Sequence, residues 1–327
     1  MRGLWAPNLQ AGRLPAVQRE DEARAEAVSF QPVPLEALER RKSVYWPPEL
    51  IERRQHLSAS SITMLLRCPE QFRRRYILKE IKPPNGNMLW GKADGAAAAA
   101  HFDAVIATGE KKGLTVDEVE ERFVHSIDTQ IEEAGGITEV LWDKKPSSIK
   151  QAHFLRGRTV DVGTKMAGLY RKEIADSVNP VATEREIKVT DPSWPVHITG
   201  YIDVEDELEM LIEKKTSNRL NSKPNPEWVL QGRIYQLAEP NKALAWHQSI
   251  KHDDPKKVRV FGFSDEMTVA ADSTRAFRTS LMVSQAMAEV AHYWSTYGPD
   301  EMWPGKGQTH TWACSLCGWR DECGWLV

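Results

Sequence analysis

The apolar positions of the chain fall into two regimes. From Leu57 to about residue 180 they recur at intervals of three and four, which predicts helices; beyond Pro180 they alternate or gather in short runs, which predicts strands. In the first regime, Ser58, Ser60 and Ser61 stand as N-caps ahead of Ile62, Leu65, Leu66, Phe72, Tyr76 and Ile77, with a break at Pro69. A turn over residues 82–87 leads into an alanine-rich helix from about Trp90. Val119, Phe123, Ile127 and Ile131 mark a third helix that stops at Gly135-Gly136. Ser148 and Gln151 form a capping-box pattern ahead of Leu155, Val162, Met166, Leu169 and Tyr170.

In the second regime, residues 181–189, 197–205 and 208–216 read as three successive strands, with turns at residues 191–195 and at Asp206-Glu207. Asn225-Pro226 opens a helix carrying Trp228, Leu230, Ile234 and Leu237. Residues 257–264 give a fourth strand, and a long helix capped by Asp272 or Ser273 closes the pattern. An antiparallel meander followed by a β-α-β crossover predicts an α/β fold, a mixed central β-sheet flanked by helices. Neither a GxGxxG turn nor a P-loop lies between a strand and a helix. Residues 1–56 mix six prolines with blocks of charge and predict a poorly ordered N-terminal arm, with a short helix near residues 34–41 and with Tyr45 and Trp46 as docking aromatics. The compact domain is expected over 57–327.

Composition adds limits. At 327 residues the chain suits two domains or one elaborated one. Lys and Arg number 43 against 46 Asp and Glu, a net charge of −3, so overall charge does not advertise nucleic acid. Charge is uneven, however: Arg53, Arg54, Arg67, Arg73, Arg74, Arg75, Lys79 and Lys82 concentrate near Cys68, either as a solvated face or as a phosphate-tracking stripe. Trp90 and Tyr201 are candidates for stacking on bases of a single strand. No apolar run reaches the roughly 18 residues of a membrane span, and the first residues lack the apolar core of a secretory signal, so a cytoplasmic location is expected.

Candidate chemistry gathers at the second and third strands. Asp203 ends one, and Glu213 and Lys215 share a face near the end of the next, with Lys214 on the other. In a hairpin Asp203 comes to lie across from Glu213, a hard-oxygen pair suited to Mg²⁺ or Mn²⁺ with a lysine alongside. Taken alone the spacing is weak, because exposed strands commonly alternate charge. Gln231 and Tyr235 share a face of the following helix. Cys68 stands far upstream of Cys314, Cys317 and Cys323, and four thiolates suit tetrahedral Zn²⁺ or a 4Fe–4S cluster equally by ligand count.

Together, Cys68-Pro69, Gly200-Tyr201-Ile202-Asp203, Glu213-Lys214-Lys215-Thr216, Gln231 with Tyr235, and Cys314-x2-Cys317-x5-Cys323 resemble, in that order, the PD-(D/E)XK nuclease superfamily. The branch they look like is the RecB-like one with an iron–sulfur cluster, which includes AddB-type and CRISPR-associated exonucleases. The resemblance implies a restriction-endonuclease-like core and a metal-dependent DNA exonuclease acting on single strands or processed ends. It implies Asp203 and Glu213 as ligands of the divalent ion, Lys215 as catalytic lysine, Gln231 and Tyr235 as the helix motif, and the four cysteines as ligands of a 4Fe–4S cluster. A recombination, repair or CRISPR-adaptation setting in a bacterial or phage-infected cell, with a helicase or integrase-type partner, follows from the resemblance alone. One element departs: the family's metal-ligating histidine falls at Gly95. His101, seven residues beyond Asp94 and so on a shared helical face, is the candidate substitute. The departure keeps open a catalytically weak or inactive DNA-binding or assembly subunit.

Overall fold

A computed structural model describes residues 43–142, 146–252, 258–262, 273–305, 314 and 317–324. The expected arm helix near residues 34–41 and the cap of the closing helix lie outside them. The helices are α1 (Pro48–Arg53), α2 (Ala59–Arg67), α3 (Pro69–Phe72), α4 (Gly86–Thr108), α5 (Val116–Glu133), α6 (Ile149–Glu173), α7 (Pro226–Ala238) and α8 (Ser273–Tyr297). The strands are β1 (His56–Leu57), β2 (Pro180–Val189), β3 (His197–Asp206), β4 (Met210–Ser217), β5 (Ala243–Ile250) and β6 (Arg259–Gly262).

The caps act where the side chains predict. Ser58 and Ser61 form a reciprocal capping box on α2, Asn85 caps α4, Ser148 caps α6, and Asn225 precedes Pro226 on α7. Two boundaries differ from expectation. Packed structure extends upstream of Leu57: Leu50 is fully buried, and buried Trp46 donates its indole N–H to the Met287 carbonyl at 2.8 Å. The crossover strand after α7 is β5, upstream of the strand expected at residues 257–264, and that expected strand is the edge strand β6.

One mixed sheet of six strands organises the molecule. Ile198 pairs with Val189 of β2 and with Leu57 of β1, while Val204 pairs with Thr183 of β2 and with Ile212 of β4. β1 and β4 therefore occupy the same edge of β3, opposite β2, at different heights. β4 continues parallel to β5, which pairs antiparallel with β6. The first core cluster joins α1, α2 and α8 to the sheet through Leu65, Phe72, Ile202, Trp246 and Trp303. The second holds α4, α5 and α6 together around Phe123, and the third seats Ala98, Phe102 and Tyr170 on Val204, Ile212 and Ala245. The protein is thus a helix-flanked mixed sheet.

Candidate active site

The site forms where the sheet forks. β3 and β4 pair only at Val204–Ile212, Glu205–Leu211 and Asp206–Met210; continuing that register sets Asp203 opposite Glu213, but there the strands part. The lost ladder partner is replaced by a side chain: the Lys214 amide donates to Asp203 Oδ2 at 2.6 Å. β3 also changes face at this point. Ile202 packs in the first core cluster and Val204, two residues on, in the third. A regular strand keeps such residues on one face. Next to Asp203, Glu184 of β2 has φ 43°, a left-handed backbone rare for a residue with a Cβ.

Alternation on β4 separates its charges. Glu213 and Lys215 face α7: Lys215 Nζ donates to Glu213 Oε2 at 2.8 Å, and Gln231 Nε2 donates to the same oxygen at 2.9 Å. Gln231 Nε2 also lies 2.9 Å from Tyr235 Oη. Helix α7 reaches this depth because β3 carries Gly200, where a Cβ would stand 2.4 Å from Tyr235 Cε1. Lys214 points the other way, to Asp94 of α4 at 3.1 Å.

Electrostatics follow from burial. Glu213 is fully buried, and the cost of desolvating its charge pushes its pKa up to about 8, with Lys215 pulling down and Asp203 pushing up. Burial also raises Asp203, against the pull of Lys215. Burial alone would lower Lys215, but Glu213 and Asp203 outweigh it and keep the ammonium. Burial and then Glu213 hold the Tyr235 phenol protonated.

The donor set fits a hard divalent cation. Glu213 Oε1 is buried without a hydrogen-bond partner, and Asp203 lines a cavity of about 620 Å³ whose wall includes Gly91, Gly95, Ala99 and Glu184. A Cβ on Gly95 would meet nothing within 4 Å. Among the described residues no three His, Cys, Asp or Glu side chains already stand in a ligating arrangement. Glu184 had no signal in the sequence that set it apart from the other charges of its strand.

The other expected residues have different surroundings. His101 is buried against Phe102, accepting the Leu114 amide on Nδ1 at 3.1 Å; burial, then Arg171, lowers its pKa to about 4. Among the described residues its ring meets Phe102 and Leu114, not Asp203 or Glu213. Burial, and behind it Cys68, Cys323 and Cys314, raise the Cys317 thiol pKa against a backbone hydrogen bond at Trp319, and Gln71 Nε2 lies 3.6 Å from Cys317 Sγ. Much of the basic stripe is neutralised internally. Arg73 and Arg74 grip Glu70, and Arg74 and Lys82 grip Glu322. Of the tryptophans beside the cysteines, Trp319 is buried, while Trp312 and Trp325 lie outside the described residues. Trp90 is buried beneath Lys251, and Tyr201 is 52% exposed.

No curated protein matches the chain. Among solved structures, the "Putative exonuclease" of Eubacterium rectale aligns at 9% identity with a TM-score of 0.42, covering 76% of this chain and 88% of its own. The protein SSO0001 aligns at 12% identity with a TM-score of 0.31, covering 81% and 97%. The family model for the PD-(D/E)XK nuclease superfamily matches residues 56–324, the span that runs from β1 through the sheet fork to the cysteine tail. With that match over most of its length, the chain belongs to the PD-(D/E)XK nuclease superfamily.

Proposed function

We propose that the protein is a Mg²⁺- or Mn²⁺-dependent deoxyribonuclease of the RecB-like type, acting as an exonuclease on single-stranded or end-processed DNA. The observation that carries the reading is the convergence of Asp203, Glu213 and Lys215 at the fork, with Gln231 bridging Glu213 and Tyr235. In this reading Asp203 and Glu213 hold the cation. The cation supplies a water of lowered pKa and a Lewis acid for the phosphoryl oxygen. Lys215 keeps its proton at Nζ and offers positive charge to the phosphate as negative charge grows there. Gln231 fixes the rotamer of Glu213, and Tyr235 remains a hydroxyl donor. Attack of water on phosphorus forms the new P–O bond as the ester P–O bond breaks, the water releasing its proton to solvent and the departing oxygen taking one up from solvent.

The cysteines are assigned to a 4Fe–4S cluster that ties Cys68 to the tail. Four thiolates make a suitable donor set, and the electrostatic influence of Cys68 and Cys323 on Cys314 and Cys317 supports the assignment. Recombination, repair or CRISPR adaptation is the setting that suits such an enzyme, with a helicase or integrase-type partner. A second reading, a DNA-binding or assembly subunit of low activity, is favoured by one feature: open space at Gly95 where the family's histidine would stand.

The test is Mn²⁺-dependent degradation of end-labelled single-stranded DNA by the wild-type chain and by Lys215→Ala. The nuclease reading expects loss of activity in the variant. Equal inertness of both proteins would leave the subunit reading.

A further inference from the structure

Among the described residues, the shared edge of β3 is bare between β1 and β4: β1 covers His197 and Ile198, β4 resumes at Val204, and no described strand lies beside Thr199–Asp203 on that edge. A cavity of about 480 Å³ opens in this break and reaches Gln231 and Tyr235, the residues that contact Glu213 or bridge to it. That volume lies in the range of ligand-sized pockets.

The lining is chemically specific. Parallel register sets His56 beside His197, and the two rings stack with centroids 5.9 Å apart and planes 27° apart. Their strand neighbours Leu57 and Ile198 are fully buried, so alternation turns both imidazoles outward. Tyr201, two alternations along the same strand, also lines the cavity and stands half-exposed. Glu186 of β2 faces both imidazoles; Arg54 acts on His56, and Lys188 on His197. When both rings are protonated, Arg54 and Lys188 add to their charge and Glu186 alone opposes it, so the break is net positive and suited to a phosphodiester. Ser60 lines this cavity and also a neighbouring groove of about 530 Å³ that carries Arg75, Tyr76 and Lys82. That continuity suits a strand rather than a single nucleotide.

We infer that the break in the sheet seats the nucleotide next to the scissile phosphate, its phosphodiester against His56 and His197 and its base against Tyr201. The inference rests on the nuclease reading and deepens it. Because burial, then like charge, lowers both imidazole pKa values, with Glu186 opposing, the contact strengthens as pH falls below neutrality.

The experiment is fluorescence-anisotropy binding of a labelled single-stranded oligodeoxynucleotide to the full chain in EDTA, at several pH values and salt concentrations. Wild-type affinity should rise several-fold between about pH 7.5 and pH 5.5. His56→Gln/His197→Gln should lose that rise and reduce the salt slope by about 1. Tyr201→Ser should weaken binding by about fivefold or more at every pH. The single variant His197→Gln, at an outward-facing position, gives an intermediate profile and guards against misfolding of the double variant. Unchanged pH profile and salt slope in the histidine variants would overturn this inference while leaving the nuclease reading intact. No binding by the wild-type chain would overturn both.

Discussion

Lys214 is nearly inaccessible, yet its amine is placed against a carboxylate. Its Nζ lies 3.1 Å from Asp94 Oδ2 and 3.2 Å from the centroid of Tyr170, whose hydroxyl meets His247 Nδ1 at 2.9 Å. Burial lowers its pKa, and Asp94 pulls it back. Removing either charge, by Asp94→Asn or Lys214→Met, should cost about 3–5 kcal/mol, because the survivor stays buried and uncompensated. Asp94→Leu/Lys214→Met should cost much less than the sum, and urea unfolding of the four proteins reads the difference; additive losses would contradict the coupling. Two histidines set an acid limit. Burial holds His101 at about 4 and His247 at about 3, with Arg171 and Lys214 adding to the effect. The unfolded chain takes up their protons near pH 6.5, so stability is present above that pH. It is lost as pH falls from there towards 4, by up to about 1.4 kcal/mol per pH unit for each group. Urea titrations from neutral to acid pH should show the slope, and His247→Asn should flatten it; an unchanged slope would assign the acid loss elsewhere. Side-chain placement was legible for Asp203, Glu213 and Lys215 because strand alternation sorts side chains by parity. It was not legible for His101, because a shared helical face does not give shared neighbours: about 10 Å of helix separates it from Asp94, and Gly113-Leu114 closes over its ring.

Elements explain why glycines at two positions behave oppositely. Gly95 lies inside α4 with open space where a Cβ would go, so Gly95→Ala should stabilise the protein by about 0.5–1 kcal/mol. Gly200 lies under Tyr235, so Gly200→Ala must push the ring or α7 off the sheet and should cost about 1–3 kcal/mol. Thermal melts of the two variants should move in opposite directions, and shifts of the same sign would refute the docking of α7 on β3. Most elements could be read from the chain because their caps and periods agree. β5 escaped for a physical reason. It is buried on both faces between β4 and β6, so it has no alternation, and Gln248 interrupts its apolar run. That glutamine is satisfied from the end of β4 and the loop after it: its amide donates to Ser217 Oγ at 2.5 Å and its oxygen accepts the Asn221 amide at 3.2 Å. The fork was equally hidden, since a hairpin reading continues the ladder that the fold breaks at Asp203.

At the scale of the whole molecule, the tail returns to the segment around Cys68. Arg74 and Lys82 hold Glu322, and the Cys317 thiol lies within reach of Gln71. If the four thiolates hold a cluster, Cys68→Ser should remove iron and acid-labile sulfide from anaerobically purified protein and lower its melting temperature, since a link across so long a loop restricts the unfolded chain. A colourless wild type holding zinc would replace the cluster with a zinc clasp and keep the closure. The low net charge has a local explanation: arginines near Cys68 serve Glu70 and Glu322, which leaves the His56–His197 break and its neighbouring groove as the surface for a strand. In the proposed reading, the fork at Asp203, Glu213 and Lys215 hydrolyses DNA from its ends. Purified wild type and Lys215→Ala, each incubated with Mn²⁺ and with linear or closed circular single-stranded DNA, test it most directly. Wild type should degrade the linear strand, spare the circle and stop in EDTA, and Lys215→Ala should leave both intact. A wild type inert on every substrate, or a variant as active as wild type, would contradict it.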